Sequence, residues 1–143
     1  MSLFVVDASV AAKWFLPAQG ETLADEALEL LGRYARAEIR FVVPGLFWAE
    51  FGNVLWKAVR QGRWSKAAAG TAIAAMKGRG LPTIPSHQLL DEAFVIASAF
   101  DRTVYDSLYV ALAVQSKAHL VTADEKLADA LAAHLPVKWL GSV

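Results

Sequence analysis

The chain has 143 residues, no cysteine, and 14 basic against 14 acidic side chains, a length that suits one domain with a substantial core. The missing cysteines exclude disulfides and thiolate metal sites, and the zero net charge gives no whole-protein case for nucleic-acid binding. Apolar residues reach 56% and mean hydropathy is +0.37, so either strands are buried on both faces or a surface is kept for a partner.

In chain order, Leu3–Val6 reads as a short, fully buried strand, β-branched and aromatic with no polar alternation. Ser9 is placed to cap a helix over Val10–Leu16, which Pro17 stops. Thr22–Arg36 carries acids early (Asp25, Glu26, Glu29) and bases late (Arg33, Arg36), the order a helix dipole favours. Ile39–Val43 is the second strand, and Pro44 suits the first turn of a helix reaching about Gln61. Ser65–Met76 is an alanine-rich helix ended by Gly78 and Gly80. Leu81–Ile84 is a strand, followed by helices over His87–Phe100 and Tyr105–Gln115. His119–Thr122 is a strand, Asp124–Ala133 a helix and Val137–Leu140 the last strand.

Strands separated by helices imply parallel pairing with right-handed crossovers. The expected fold is α/β, a three-layer α/β/α sandwich around a mostly parallel sheet, with residues 1–143 as one domain. Only Leu3–Val6 precede the first charge, which is too short for a signal-peptide core, and no apolar run is long enough to cross a bilayer. The expectation is a soluble, cytoplasmic protein with no membrane association.

Four acids sit where ordinary surface acids do not. Asp7 ends the first strand, and Asp124 closely follows Leu120-Val121-Thr122. Glu50 lies inside the apolar helical stretch Leu46–Phe51, and Asp106 opens Asp106–Ala113, apolar beyond its first two residues. Carboxylates avoid apolar surroundings unless something neutralises them. A shared cation would do so, and oxygen-only ligands select a hard divalent ion such as Mg²⁺ or Mn²⁺. In folds of this class, sites form outside the carboxyl ends of the strands, where Asp7 and Asp124 both fall. Each acid also has a plain structural reading: Asp7, Asp106 and Asp124 can each stabilise a helix N-terminus, and Glu50 can share a solvated stripe with Asn53 and Lys57.

Val6-Asp7-Ala8-Ser9-Val10, Ala49-Glu50, Tyr105–Ala113 and Val121-Thr122-Ala123-Asp124, in that order, resemble the PIN domain. The subgroup they resemble most is the VapC-type toxins of bacterial and archaeal toxin–antitoxin pairs. The resemblance spans nearly the whole chain. It implies a Mg²⁺- or Mn²⁺-dependent endoribonuclease whose acidic site is Asp7, Glu50, Asp106 and Asp124, supported by the hydroxyls of Ser9 and Thr122. It also implies an RNA substrate, a homodimer, and a VapB-type antitoxin that fills a groove and blocks the site. On this reading Asp7 and Asp106 ligate the metal directly, Glu50 ligates it or orients the attacking water, and Asp124 acts directly or through water.

No acid occurs between Glu50 and Asp91, a stretch that carries Lys57, Arg60, Arg63, Lys66, Lys77 and Arg79. It offers either a face for a phosphate backbone or two helices with ordinary charged sides. His87, His119 and His134 lack paired metal-ligand spacing, which argues against histidine-based ribonuclease chemistry. Asp101 is read as a loop acid paired with Arg102, and Lys13 as a surface lysine rather than a phosphate contact. Trp14, Trp48 and Trp56, with Phe15, suit either core packing or a partner groove. An aspartate-nucleophile phosphatase would want a second acid at position 9, where Ser9 stands, and no glycine-rich nucleotide loop is present. A non-catalytic PIN-like binding module remains the alternative, although such a chain usually lacks one of the four acids.

Overall fold

A computed structural model of the chain describes residues 2–143. Five strands form one sheet: β1 (Ser2–Val6), β2 (Ile39–Pro44), β3 (Thr83–Ile84), β4 (His119–Thr122) and β5 (Val137–Trp139). Their spatial order is β3-β2-β1-β4-β5, and every pairing is parallel, with Val5 beside Val42 on one side and Leu120 on the other. Phe4, Val5 and Val6 are all buried. Successive strand side chains point to opposite faces, so this run shows both faces of the sheet covered. The apolar excess is spent largely there.

Seven α-helices connect the strands: α1 (Ala8–Ala12), α2 (Ala24–Ala35), α3 (Leu46–Arg60), α4 (Lys66–Gly78), α5 (Leu90–Phe100), α6 (Val104–Ser116) and α7 (Glu125–Leu131). α1 packs on α3, α5 on α6, and α6 lies against β1, β2 and β4. That central position explains why Leu108–Ala113 is buried without a break. The chain moves outward from β1 to β2 to β3, then returns to the other side of β1 for β4 and β5. The reversal leaves a crevice at the carboxyl ends of β1 and β4, the preferred ligand position in doubly wound sheets.

The element order follows expectation, with local departures. Asp7, not Ser9, caps α1, and the regular helix ends at Ala12 rather than Leu16. Pro44 closes β2 instead of opening α3, whose N-cap is Gly45; a proline tolerates a strand end, where its missing N–H is not needed. A 3₁₀ turn over Ser86–Leu89 precedes α5, and Leu140 belongs to a closing 3₁₀ turn rather than β5. Lys13 is no surface lysine. Its Nζ lies 3.2 Å from Glu21 Oε1, and Arg63 meets the other oxygen at 2.5 Å, tying the α1–α2 loop to the α3–α4 turn. Asp101 ends α5 in a left-handed conformation (φ 54) and makes no ion pair with Arg102 among the described residues.

No helix among the described residues is long and apolar enough to cross a membrane.

Candidate active site

The first acid is fixed by the strand that carries it. The Asp7 N–H continues the β1–β4 ladder by donating to Val121 O at 3.1 Å. Beyond it the chain turns into α1, and Asp7 Oδ1 accepts from the Ser9 N–H at 3.2 Å. Its other oxygen, Oδ2, accepts from the Thr122 hydroxyl at 2.8 Å. Thr122 is fully buried at the end of β4, and its Oγ1 accepts in turn from the Asp124 N–H at 3.1 Å. Asp124 caps α7 through its own Oδ1, which accepts from Leu127 N–H at 3.1 Å. One hydrogen-bonded relay therefore joins the ends of the two central strands. Capping and site-building are the same bonds here: each cap fixes its carboxylate and leaves it lone pairs.

α3 and α6 bring the other two acids. Glu50 stands on the half-buried side of α3, one residue from the stacked pair Phe47 and Phe51. Its Oε1 accepts from the Tyr109 hydroxyl at 2.6 Å. Asp106 lies in the first turn of α6, whose N-cap Thr103 accepts from the Asp106 N–H at 3.0 Å. Asp7 and Glu50 share a cleft of about 400 Å³ with Ser9, Asn53, Lys57 and Tyr105. Asp106 and Asp124 are not among its lining residues; Asp106 is half-buried and Asp124 exposed. The hydroxyl Oγ of Ser9 is buried in this cleft wall and has no partner among the described residues.

The electrostatics follow from crowding. Burial lifts the Asp7 carboxyl from its usual value to about 6; the bonds from Thr122 and Ser9 pull it down, and the charges of Glu50 and Asp106 push it up. Asp106 is also raised, chiefly by burial, with Arg102 opposing and Asp124 adding to the shift. The Arg102 charge thus acts on Asp106. Tyr109 is lifted far above its ordinary range by burial, then by Asp7 and Glu50, so its phenol stays a donor.

The donor set is all oxygen, anionic and partly desolvated, which fits a hard divalent cation. No three His, Cys, Asp or Glu side chains among the described residues close into a metal cage by themselves. A hard ion such as Mg²⁺ keeps several waters when it is held by one or two carboxylates. The three histidines are all exposed, and none lines the cleft.

The sequence reading missed Tyr109, Tyr105 and Thr103. A signal existed for Tyr109: it stands three residues after Asp106, the spacing that puts two side chains on one helix face. Its place in an apolar run hid it. The aromatic readings also divide. Trp14 is buried, its N–H donating to Ala27 O at 2.9 Å, and Trp48 packs edge-on against Phe47. Trp56 alone of the three tryptophans is 53% exposed, with the Arg60 guanidinium above its ring.

Thr122→Val should keep the shape and delete the donor to Asp7. Asp7 should then titrate higher still, and any metal-dependent activity should fall about 10–100-fold, as for other groups that orient a metal ligand. Steady-state rates across pH 6 to 8 check this; unchanged rates would show the bond to be idle.

A model of the family described as PIN domain matches residues 4–131. Ribonuclease VapC3 of Pyrobaculum aerophilum is 28% identical over 127 residues, which cover 87% of this chain and 92% of that protein. The crystal structure of PAE2754 from Pyrobaculum aerophilum superposes with a TM-score of 0.68 at 25% identity, over 99% of this chain and 91% of that one. VapBC2 from Rickettsia felis, bound to a promoter DNA fragment, contains a chain that superposes with a TM-score of 0.61 at 15% identity, over 96% of this chain and 98% of its own.

Proposed function

The chain belongs to the PIN domain family, and from that premise we propose that it is a divalent-metal-dependent endoribonuclease, the toxin of a toxin–antitoxin pair. The observation that carries this reading is the placement of Asp7. Its carboxyl is desolvated at the sheet's reversal point, coupled to Glu50 and Asp106, and open to a cleft rimmed by Asn53 and Lys57. The ribonuclease name of the Pyrobaculum relative supports the substrate, and the VapBC2 assembly supports an antitoxin partner.

Asp7 and Asp106 would hold Mg²⁺ or Mn²⁺, with Glu50 as a further ligand or as the group orienting the attacking water. A bound ion would lower the pKa of a water and stabilise the charge that develops on the scissile phosphate. Thr122 and Ser9 N–H fix both oxygens of Asp7, and Asp124 closes the rim. Lys57 stands on the same side of α3 as Glu50 and faces an incoming phosphate. Lys57, Arg60, Lys66 and Lys77 are exposed and available to RNA, whereas Arg63 is committed to Glu21.

Two surfaces support partners. α5 exposes Phe94 at 63% and Val95 at 65%, an apolar pair that a second copy would cover in a homodimer. Between α3 and α4 an apolar groove of about 540 Å³ includes Leu55, Trp56, Val59 and Ile73, suited to a VapB-type antitoxin segment. The chain would act as one cytoplasmic nuclease domain.

The test is cleavage of end-labelled total RNA by purified chain, with Mn²⁺ or EDTA, beside Asp106→Asn. Discrete cuts that need the metal and are lost in the variant are expected, leaving 5′-phosphate and 3′-hydroxyl ends. A 2′,3′-cyclic phosphate end would overturn water-based hydrolysis. No cutting by folded, metal-loaded, antitoxin-free chain would favour a binding role.

A further inference from the structure

We infer that Tyr109 is a positioning residue that holds Glu50 toward the acidic cleft through its phenol hydroxyl, an inference that rests on the metal-dependent reading of that cleft. Tyr109 is 3% exposed and sits on α6 one turn beyond Asp106, in the layer that supports β1, β2 and β4. Its hydroxyl donates to Glu50 Oε1 at 2.6 Å across 59 residues of sequence. One hydroxyl therefore ties α6, the helix that presents Asp106, to α3, the helix that presents Glu50.

Glu50 needs such a tie more than the aspartates do. Asp7 and Asp124 are short and are fixed by backbone N–H groups at helix caps. Glu50 is mid-helix, where backbone donors are already committed, and it has three freely rotating side-chain bonds. Among the described residues it is drawn into no ion pair, so Lys57 does not pull it out of the cleft. The Tyr109 bond is the contact that selects one rotamer, and a charged acceptor makes it strong and directional. It engages only one carboxylate oxygen, which leaves Oε2 free for a cation or a water.

Tyr109→Phe deletes one oxygen and preserves the ring. Calorimetric Mn²⁺ binding without RNA should weaken about 10–100-fold, and kcat for RNA cleavage should fall by a similar factor with KM little changed. The melting transition should remain cooperative. If the phenol acts through Glu50, the double variant Glu50→Gln/Tyr109→Phe should be no worse than Glu50→Gln alone. Wild-type Mn²⁺ affinity and kcat in Tyr109→Phe would overturn the inference while leaving the nuclease reading standing. Additive losses in the double variant, or a chain that no longer melts cooperatively, would make Tyr109 a fold contact and overturn it too. A wild-type chain that neither binds Mn²⁺ nor cuts RNA would remove the nuclease reading, and the inference with it.

Discussion

Asp7→Asn is expected to abolish RNA cleavage and, at the same time, to make the metal-free chain more stable at neutral pH. The two effects share a cause. The folded state raises the Asp7 carboxyl to about 6 from an ordinary 3.8, mainly through burial. A raised carboxyl means that the folded chain keeps a proton which the unfolded chain releases over that interval. Stability from this group is therefore full below about pH 4 and is lost as pH rises through about 6. At pH 7 the whole penalty is present, up to about 3 kcal/mol at roughly 1.4 kcal/mol per unit. Asparagine is neutral and retains an oxygen for the Ser9 N–H, so the variant should gain much of that energy, about 5–10 °C in melting temperature. Near pH 4 the gain should vanish, because Asp7 is then largely protonated.

Metal is expected to reverse the ranking. An ion that binds the folded chain alone stabilises it in proportion to the logarithm of its concentration over Kd. Wild type should climb with Mn²⁺ at pH 7 while Asp7→Asn stays flat, and cleavage should fall by more than the roughly 100-fold upper range for groups that merely orient a ligand. Thermal melts at pH 4 and pH 7, with and without Mn²⁺, check all of this on one sample set. A variant less stable than wild type at pH 7 without metal would show Asp7 to be a structural anchor rather than a strained ligand.

Much of this was legible in the sequence because the burial is written in it. An unbroken Leu3–Val6 means a strand covered on both faces, and an acid directly after it is exposed to the cost of desolvation. The crossover pattern then sets the parallel order without any knowledge of side-chain contacts. Ends of elements were less legible. α5 and α6 finish on Asp101 and Lys117 in left-handed conformations (φ 54 and 53), where no glycine marks the stop. α2 begins after Leu23, also left-handed, which no propensity scale would select. Of the long-range polar contacts, only the Thr122 hydroxyl behind Asp7 was anticipated, through the family resemblance. Lys13, Glu21 and Arg63 look like three surface charges until the α1–α2 loop folds onto the α3–α4 turn. Tyr109 reads as core until α3 delivers Glu50 to its hydroxyl.

Phe47→Ala should test whether the site depends on how α3 is seated, with a large expected loss of stability. Phe47 is fully buried, stacks on Phe51 at 5.8 Å and meets Trp48 edge-on at 5.1 Å. Phe51 in turn packs edge-on against Phe15, beyond α1, at 5.8 Å. This aromatic chain joins α3 to the end of α1, and so fixes the distance between the helix of Glu50 and the strand end of Asp7. Removing the ring costs the transfer energy of the lost atoms plus a cavity that rigid neighbours cannot close, about 3–5 kcal/mol. Urea unfolding should show that loss as a lower midpoint with an unchanged slope. Function should suffer beyond the folded fraction, since Glu50 lies three residues along the same helix and needs its place to within a fraction of an ångström. Cleavage corrected for folded protein should therefore still drop. Full activity per folded molecule would mean that Tyr109 and the upper turns of α3 hold Glu50 without the aromatic chain. A stability loss below about 1 kcal/mol would mean that the core closes over the gap, as well-relaxing sites do.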